Sequence, residues 1–137
     1  MTSEPVHHFP RLPHAAPFLL LDRVLEVRAR DAAFSKLVTA ADPCVAGDGT
    51  LPAAFVLEAI AQAAGALLAE MEGRAPAPGY LAAVDGFAMH GPVRVGETLR
   101  VEVHLVRHVA QASMVRGRVL VDGVVRAEGR VTLAQPR

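Results

Sequence analysis

The sequence contains one cysteine, Cys44, and no tryptophan. A lone thiol cannot build a disulfide framework, so the expected setting is a reducing cytoplasm. Cys44 reads as a small buried apolar residue rather than a nucleophile. Aromatic residues make up 4% of the 137 positions, too few for a base-stacking platform. Neither charge is in excess, since 14 Lys and Arg balance 14 Asp and Glu. That balance removes the electrostatic case for nucleic acid or an anionic membrane surface as a partner. The opening, Met1-Thr2-Ser3-Glu4-Pro5-Val6-His7-His8, has neither the basic nor the apolar region of a signal peptide. Only Leu51 to Leu68 forms a long apolar run, and Glu58 and Gln62 interrupt it. An acidic side chain at a bilayer centre costs about 2.5–3.5 kcal/mol. The run therefore reads as a buried helix, and no membrane span is expected.

What the sequence has is aliphatic surface: 52% of its residues are hydrophobic, many of them Ala and Val. That is rich for a small soluble monomer and predicts an obligate oligomer. The length suits one domain over residues 1–137, with 1–11 as an irregular lead-in. Phe18 to Val27 and Ala33 to Thr39 read as strands, and Asp42 to Thr50 as a loop broken by Pro43, Gly47 and Gly49. Pro52 suits the first turn of a helix running from Leu51 to about Met71, apolar on nearly every face. Tyr80 to Val84 begins the next strand. Leu99, Val101, Val103 and Leu105 then alternate with Arg100, Glu102, His104 and Val106, a period of two that places His104 and His108 on the polar face. Met114 to Val121 and Val124 to Leu133 follow, and the Asp122-Gly123 pair between them signals a hairpin. One long apolar helix among antiparallel strands requires a curved sheet wrapped around it, an α+β architecture.

Two segments resemble a known family. Leu12-Pro13-His14-Ala15-Ala16-Pro17-Phe18-Leu19-Leu20-Leu21-Asp22-Arg23-Val24 is similar to the L-P-H-R-x-P-F-L-L-V-D-R-V opening of the 3-hydroxyacyl-ACP dehydratases. Leu51-Pro52-Ala53-Ala54-Phe55-Val56-Leu57-Glu58-Ala59-Ile60-Ala61-Gln62 resembles their central helix, M-P-G-V-L-x-x-E-A-x-A-Q. Tyr80 to Asp85 and Gly91 to Leu99 give a weaker third likeness, so the resemblance spans residues 12–135 in family order. It implies a hotdog fold, an obligate dimer of such domains, and acyl-carrier-protein or CoA thioesters as substrates; no cofactor is expected. The family carries G-H-F-P-G between the second strand and the helix, with a catalytic His that works against a helix Glu of the other subunit. Here that loop is shorter, Asp48 follows Gly47 where the His would stand, and Ala53 replaces the helix-start Gly. A shortened loop without His also resembles a divergent group of dehydratases, some of them in aryl-polyene-type biosynthetic clusters.

Dehydrating a 3-hydroxyacyl thioester needs a base for the proton beside the carbonyl, an acid for the departing hydroxyl, and donors for the charge gathering on the thioester oxygen. Free N–H groups at a helix start supply such donors, which makes Ala53 and Ala54 candidates for binding the thioester. Glu58 is the candidate acid. Gln62, four residues on and on the same face, is a candidate substrate contact, and Gly65 and Ala69 continue that face with room for an acyl chain. Asp48 has two readings: a turn residue between glycines, or a carboxylate standing in for the missing His. The remaining histidines (His7, His8, His14, His90, His104, His108) show no zinc-like spacing, and no metal is expected. The expected activity is therefore a dehydratase or hydratase on acyl-ACP or acyl-CoA thioesters, as a homodimer or a higher dimer-based oligomer. The alternatives are a weakly active subunit completing the site of a His-bearing homologue, an acyl thioesterase, and acyl binding without turnover.

Overall fold

The alternation around Val101 becomes the central strand of a sheet. A computed structural model describes residues 4–5, 20–42, 45–73 and 80–134. Its elements in chain order are β1 (Glu4–Pro5), β2 (Arg23–Val27), β3 (Asp31–Leu37), α1 (Ala53–Glu72), β4 (Tyr80–Met89), β5 (Thr98–Val109), β6 (Ala112–Val121) and β7 (Val124–Ala134). The strands form one sheet in the order β1-β2-β3-β5-β6-β7-β4, with every neighbouring pair antiparallel. The α+β hotdog arrangement expected from the sequence is the one the chain adopts.

Several details differ from the sequence reading, among them the strand bounds: β2 starts at Arg23, leaving Leu20 to Asp22 outside it, and β3 spans Asp31–Leu37 rather than Ala33 to Thr39. The lead-in contributes a two-residue strand, β1, whose Glu4 and Pro5 pair with Val27 and Glu26. The helix begins at Ala53, so Pro52 is its N-cap rather than part of its first turn. A bulge between Leu105 and Arg107 shifts the register of β5 against β6. His104 keeps the polar face and meets Asp31, Nδ1 to Oδ1 at 2.5 Å. Beyond the bulge the alternation reverses, and His108 pairs instead with buried Ser113, Nδ1 to Oγ at 2.6 Å. The hairpin signal at Asp122-Gly123 holds: both residues have positive φ, 50° and 78°, as a two-residue turn of this kind requires. Leu12 to Leu19, Cys44, His7, His8 and His14 lie outside the described residues.

The core lies between α1 and the inner face of the sheet. Val56, Ile60, Ala63, Ala64 and Leu67 of the helix pack against Phe34, Leu99, Val101, Val115, Val119 and Val131. Although α1 is long and apolar enough to cross a membrane, ten of its twenty residues are buried within the protein. The helix comes so near β6 that a Cβ at position 117 would lie well inside contact distance of Ile60 Cγ2, so only glycine fits there. Gly129, beside it on β7, would put a Cβ 2.9 Å from Phe87 Cα.

The outer face is charged. Glu102 receives Arg100 and Arg118 at 2.7 Å each, and Arg100 also reaches Glu26 at 2.9 Å. Burial pushes the Glu102 carboxyl up, but the two guanidinium bonds outweigh it and hold the group below its ordinary range. β4 closes one edge with Tyr80 60%, Leu81 40% and Val84 41% exposed.

The packing and the charges each make a testable demand. Gly117→Ala will lower stability by about 1–3 kcal/mol in urea unfolding, the range for overpacking a tight core, and combining it with Ile60→Ala, which removes the Cγ2 it strikes, will cost less than the sum of the two single changes. Glu102 has a depressed pKa in the folded chain, so its contribution is present above the unfolded-state value and is lost as pH falls toward the folded one. Glu102→Gln will therefore flatten the acid limb of a stability-against-pH curve by less than about 1 kcal/mol, as befits a partly exposed pair.

Candidate active site

The site is assembled at the start of α1. Pro52 caps the helix with φ −59° and ψ 150°, and having no N–H costs it nothing there. Its carbonyl accepts from Phe55 N at 2.9 Å and Val56 N at 3.1 Å. No side chain caps this end, and no acidic residue occupies the first turn. Among the described residues the N–H groups of Ala53 and Ala54 meet no protein acceptor, and both residues are exposed. The helix start thus presents the two expected donors, with the positive end of the helix dipole behind them.

Ala54, Glu58 and Gln62 follow at intervals of four, on one face of α1. Glu58 is half-buried. Gln62 is 2% exposed and spans two groups: its Oε1 accepts from Leu20 N at 2.8 Å, and its Nε2 donates to Glu58 Oε1 at 3.2 Å. The amide expected to contact substrate is thus engaged by the protein, and it links the Glu58 carboxylate to a backbone anchor. No sequence signal marks that anchor, because it is the N–H of Leu20. Further along this face Gly65 is half-buried and Ala69 is buried.

Asp48 sits apart from this row. One of its carboxylate oxygens, Oδ1, accepts from Thr50 N at 3.0 Å and from Thr50 Oγ1 at 2.6 Å, closing a short turn. Those two bonds hold the carboxyl below its ordinary range, with a smaller contribution from Arg94. An exposed carboxylate held in its charged form is a weak base for a carbon acid. Neither bond links it to Glu58.

His90 lies 3.5 Å from Glu128 at the surface, and His104 and His108 have the partners already described, so none of the three joins the row. Among the described residues no cluster of three His, Cys, Asp or Glu is arranged to hold a metal. A cleft of about 820 Å³ opens on the outer face of the sheet, lined by Glu102, His104, Arg116, Arg118 and Arg130 among others, and none of the candidate residues borders it. Two buried polar residues, Lys36 and Ser113, escaped the sequence reading. Lys36 follows Ala32 and Phe34 at intervals of two, and that spacing already placed it on the inner face.

The family model for ApeP-like proteins, described as ApeP dehydratase, matches residues 6–137. The chain belongs to the ApeP-like dehydratase family. The match includes residues 6–19, which carry most of the opening motif. The 3-hydroxyacyl-[acyl-carrier-protein] dehydratase FabZ of Solibacter usitatus is 38% identical over 125 residues, covering 88% of this chain and 77% of that protein. The FabZ of Thermus thermophilus is 38% identical over 126 residues, 88% and 89% of the two chains. Among solved structures, a chain of the dehydratase heterocomplex ApeI:P from Xenorhabdus doucetiae superposes with a TM-score of 0.84 at 25% identity, covering 93% of this chain and 90% of that one. Membership in the ApeP-like family and the likeness to FabZ support a dehydratase- or hydratase-like function in fatty-acid or polyketide-type metabolism.

Gln62→Ala would leave the buried Leu20 N–H without its acceptor. The expected cost is about 1–3 kcal/mol in urea unfolding, the penalty of one unsatisfied buried polar group. Gln62→Glu keeps an acceptor for Leu20 but sets a second buried carboxyl beside Glu58, so it will not recover that loss.

Proposed function

We propose that this chain takes part in the reversible dehydration of 3-hydroxyacyl thioesters carried on acyl carrier protein or CoA. In this reading Glu58 is the proton-transferring group, and the Ala53 and Ala54 N–H groups are the donors to the thioester oxygen. The observation that carries it is the presence, within the first two turns of one helix, of two N–H groups that meet no protein acceptor and a half-buried carboxylate bonded to Gln62. The carboxylate takes a proton from the carbon next to the carbonyl, and charge gathers on the thioester oxygen, where the N–H groups meet it. The resulting carboxylic acid returns that proton to the hydroxyl at the next carbon, which leaves as water while the double bond forms. No metal or cofactor is needed for this balance. A cytoplasmic setting belongs to the same reading and rests on the single cysteine.

A second reading has a specific observation behind it. Asp48 stands where the family's His is expected, and its carboxylate is committed to Thr50. If the family's division of labour applies, Glu58 of this chain faces a histidine supplied by a different subunit. The structural relative is a heterocomplex, and the exposed edge strand β4, with Tyr80, Leu81 and Val84 uncovered, offers a surface for a second subunit. Both facts support a dimer-based assembly, either of two copies or of this chain with a His-bearing homologue.

The test is hydration of a crotonyl thioester followed by absorbance, first with the chain alone and then with a homologue that carries the G-H-F-P-G loop. Turnover by the chain alone that falls at least about a hundredfold in Glu58→Gln supports the autonomous enzyme, since general acid–base groups contribute about 10²–10⁴. In that case Asp48→Asn, which keeps the acceptor for Thr50, will stay within a few-fold of the parent; a comparable loss would instead make Asp48 the stand-in for the histidine. Turnover only in the mixture, lost in Glu58→Gln of this chain, establishes the completing-subunit reading. Thiol release in place of hydration would point to a thioesterase.

A further inference from the structure

Lys36 is 5% exposed, on the inner face of β3 opposite Leu99, and nothing in the proposed chemistry uses it. A buried ammonium is costly unless charged partners surround it. Here two carboxylates do so. Asp42 lies 3.2 Å from Nζ through both of its oxygens, and Asp22 Oδ1 lies at 3.8 Å. Each carboxylate also holds the backbone just beyond Lys36: Asp22 Oδ2 accepts from Leu37 N at 2.6 Å and Asp42 Oδ2 from Thr39 N at 2.9 Å. One side chain thus ties together the entry to β2, the end of β3 and the loop leading to the helix.

From that knot a continuous set of backbone bonds runs to the start of α1. Val38 N donates to Glu97 O at 3.0 Å, and Gly96 N returns to Val38 O at 2.7 Å. The 93–97 turn is secured on its far side by Arg126, which reaches Glu97 Oε2 at 3.2 Å and Pro92 O at 2.6 Å. The turn then grips the residues before the helix, with Val95 N donating to Gly49 O at 2.9 Å and Leu51 N to Val93 O at 2.8 Å. Leu51 is two residues from Ala53. We infer that Lys36 is a positioning residue, whose pairing with Asp42 and Asp22 fixes, through the 93–97 turn, where the first N–H groups of α1 point. This rests on the reading of that helix start as the site of the thioester oxygen.

The experiment is amide hydrogen exchange on the full chain, comparing Gly49, Leu51, Val95 and Gly96 with Val115 and Val119 in the middle of β6. Lys36→Met is expected to raise exchange at the first set about tenfold and leave the second set unchanged, the signature of a local opening. Asp42→Asn, which keeps an acceptor for Thr39, is expected to do the same more weakly, and Lys36→Arg to restore most of the protection. In the hydration assay Lys36→Met should lower kcat about tenfold with KM within about threefold, as for donors displaced from the developing charge. Unchanged exchange at the helix entry in folded Lys36→Met overturns the inference. So does a rise shared equally by both sets, which would make the lysine part of general stability only. Should Lys36→Met fail to fold, the same two patterns in Asp42→Asn decide. If the parent chain shows no hydration, alone or with a partner, the dehydratase reading fails while the exchange data still judge the clasp.

Discussion

How near α1 comes to the sheet sets everything else. A helix in which eight of twenty residues are alanine has little side-chain bulk at those positions, so it buries that surface only by lying close to its neighbour. Gly117 makes that approach possible, since Ile60 occupies the space a Cβ would take. The fit fixes both the height and the rotation of the helix. Val56, Ala59, Ile60 and Ala63 then point at the sheet, and the row of Ala54, Glu58 and Gln62 turns away from the most crowded face. The orientation of the candidate site is thus a by-product of core packing, and Gln62 adds a single polar tie to Leu20.

The start of the helix follows a different rule. Most helix starts satisfy their first N–H groups with a side chain of the cap residue or an acid in the first turn. This one does neither, and Pro52 cannot provide such a cap. Its placement comes from its surroundings, through the backbone bonds to the 93–97 turn and the charges that hold that turn and the preceding loop. Leaving the donors unengaged while fixing the chain on both sides is what an oxyanion site requires, because donors that must reorganise at the moment of reaction stabilise charge less well.

Much of this was legible in the sequence. The helix, the longer strands β2 to β7 and the Asp122-Gly123 hairpin all follow from periodicity and turn chemistry. The α+β arrangement follows from the need to bury one apolar helix among strands. That Glu58 lies on the helix and that Ala53 and Ala54 lie at its start was visible because the motif is local. What escaped the reading depends on register and on backbone groups. The bulge after Leu105 moves His108 to the other face, and nothing in the side-chain pattern announces it. Gln62 looked available because its acceptor role toward a backbone N–H forty-two residues away leaves no mark on the composition. Lys36 is the exception. Its buried position was written in the spacing from Phe34, and its two aspartates lie within reach in sequence or across the sheet.

The edge strand β4 has a consequence for selectivity. Backbone donors and acceptors along an open edge are the same for every sequence, so hydrogen bonding there does not distinguish a like subunit from an unlike one. The discriminating groups are the side chains flanking the edge, and Tyr80, Leu81 and Val84 are the large ones left uncovered. Preference between partners is a difference of two affinities, and about 1.4 kcal/mol shifts it tenfold. If a second subunit pairs along β4, a few substitutions among these ten residues would shift its preference between a like and an unlike partner, with the interior untouched.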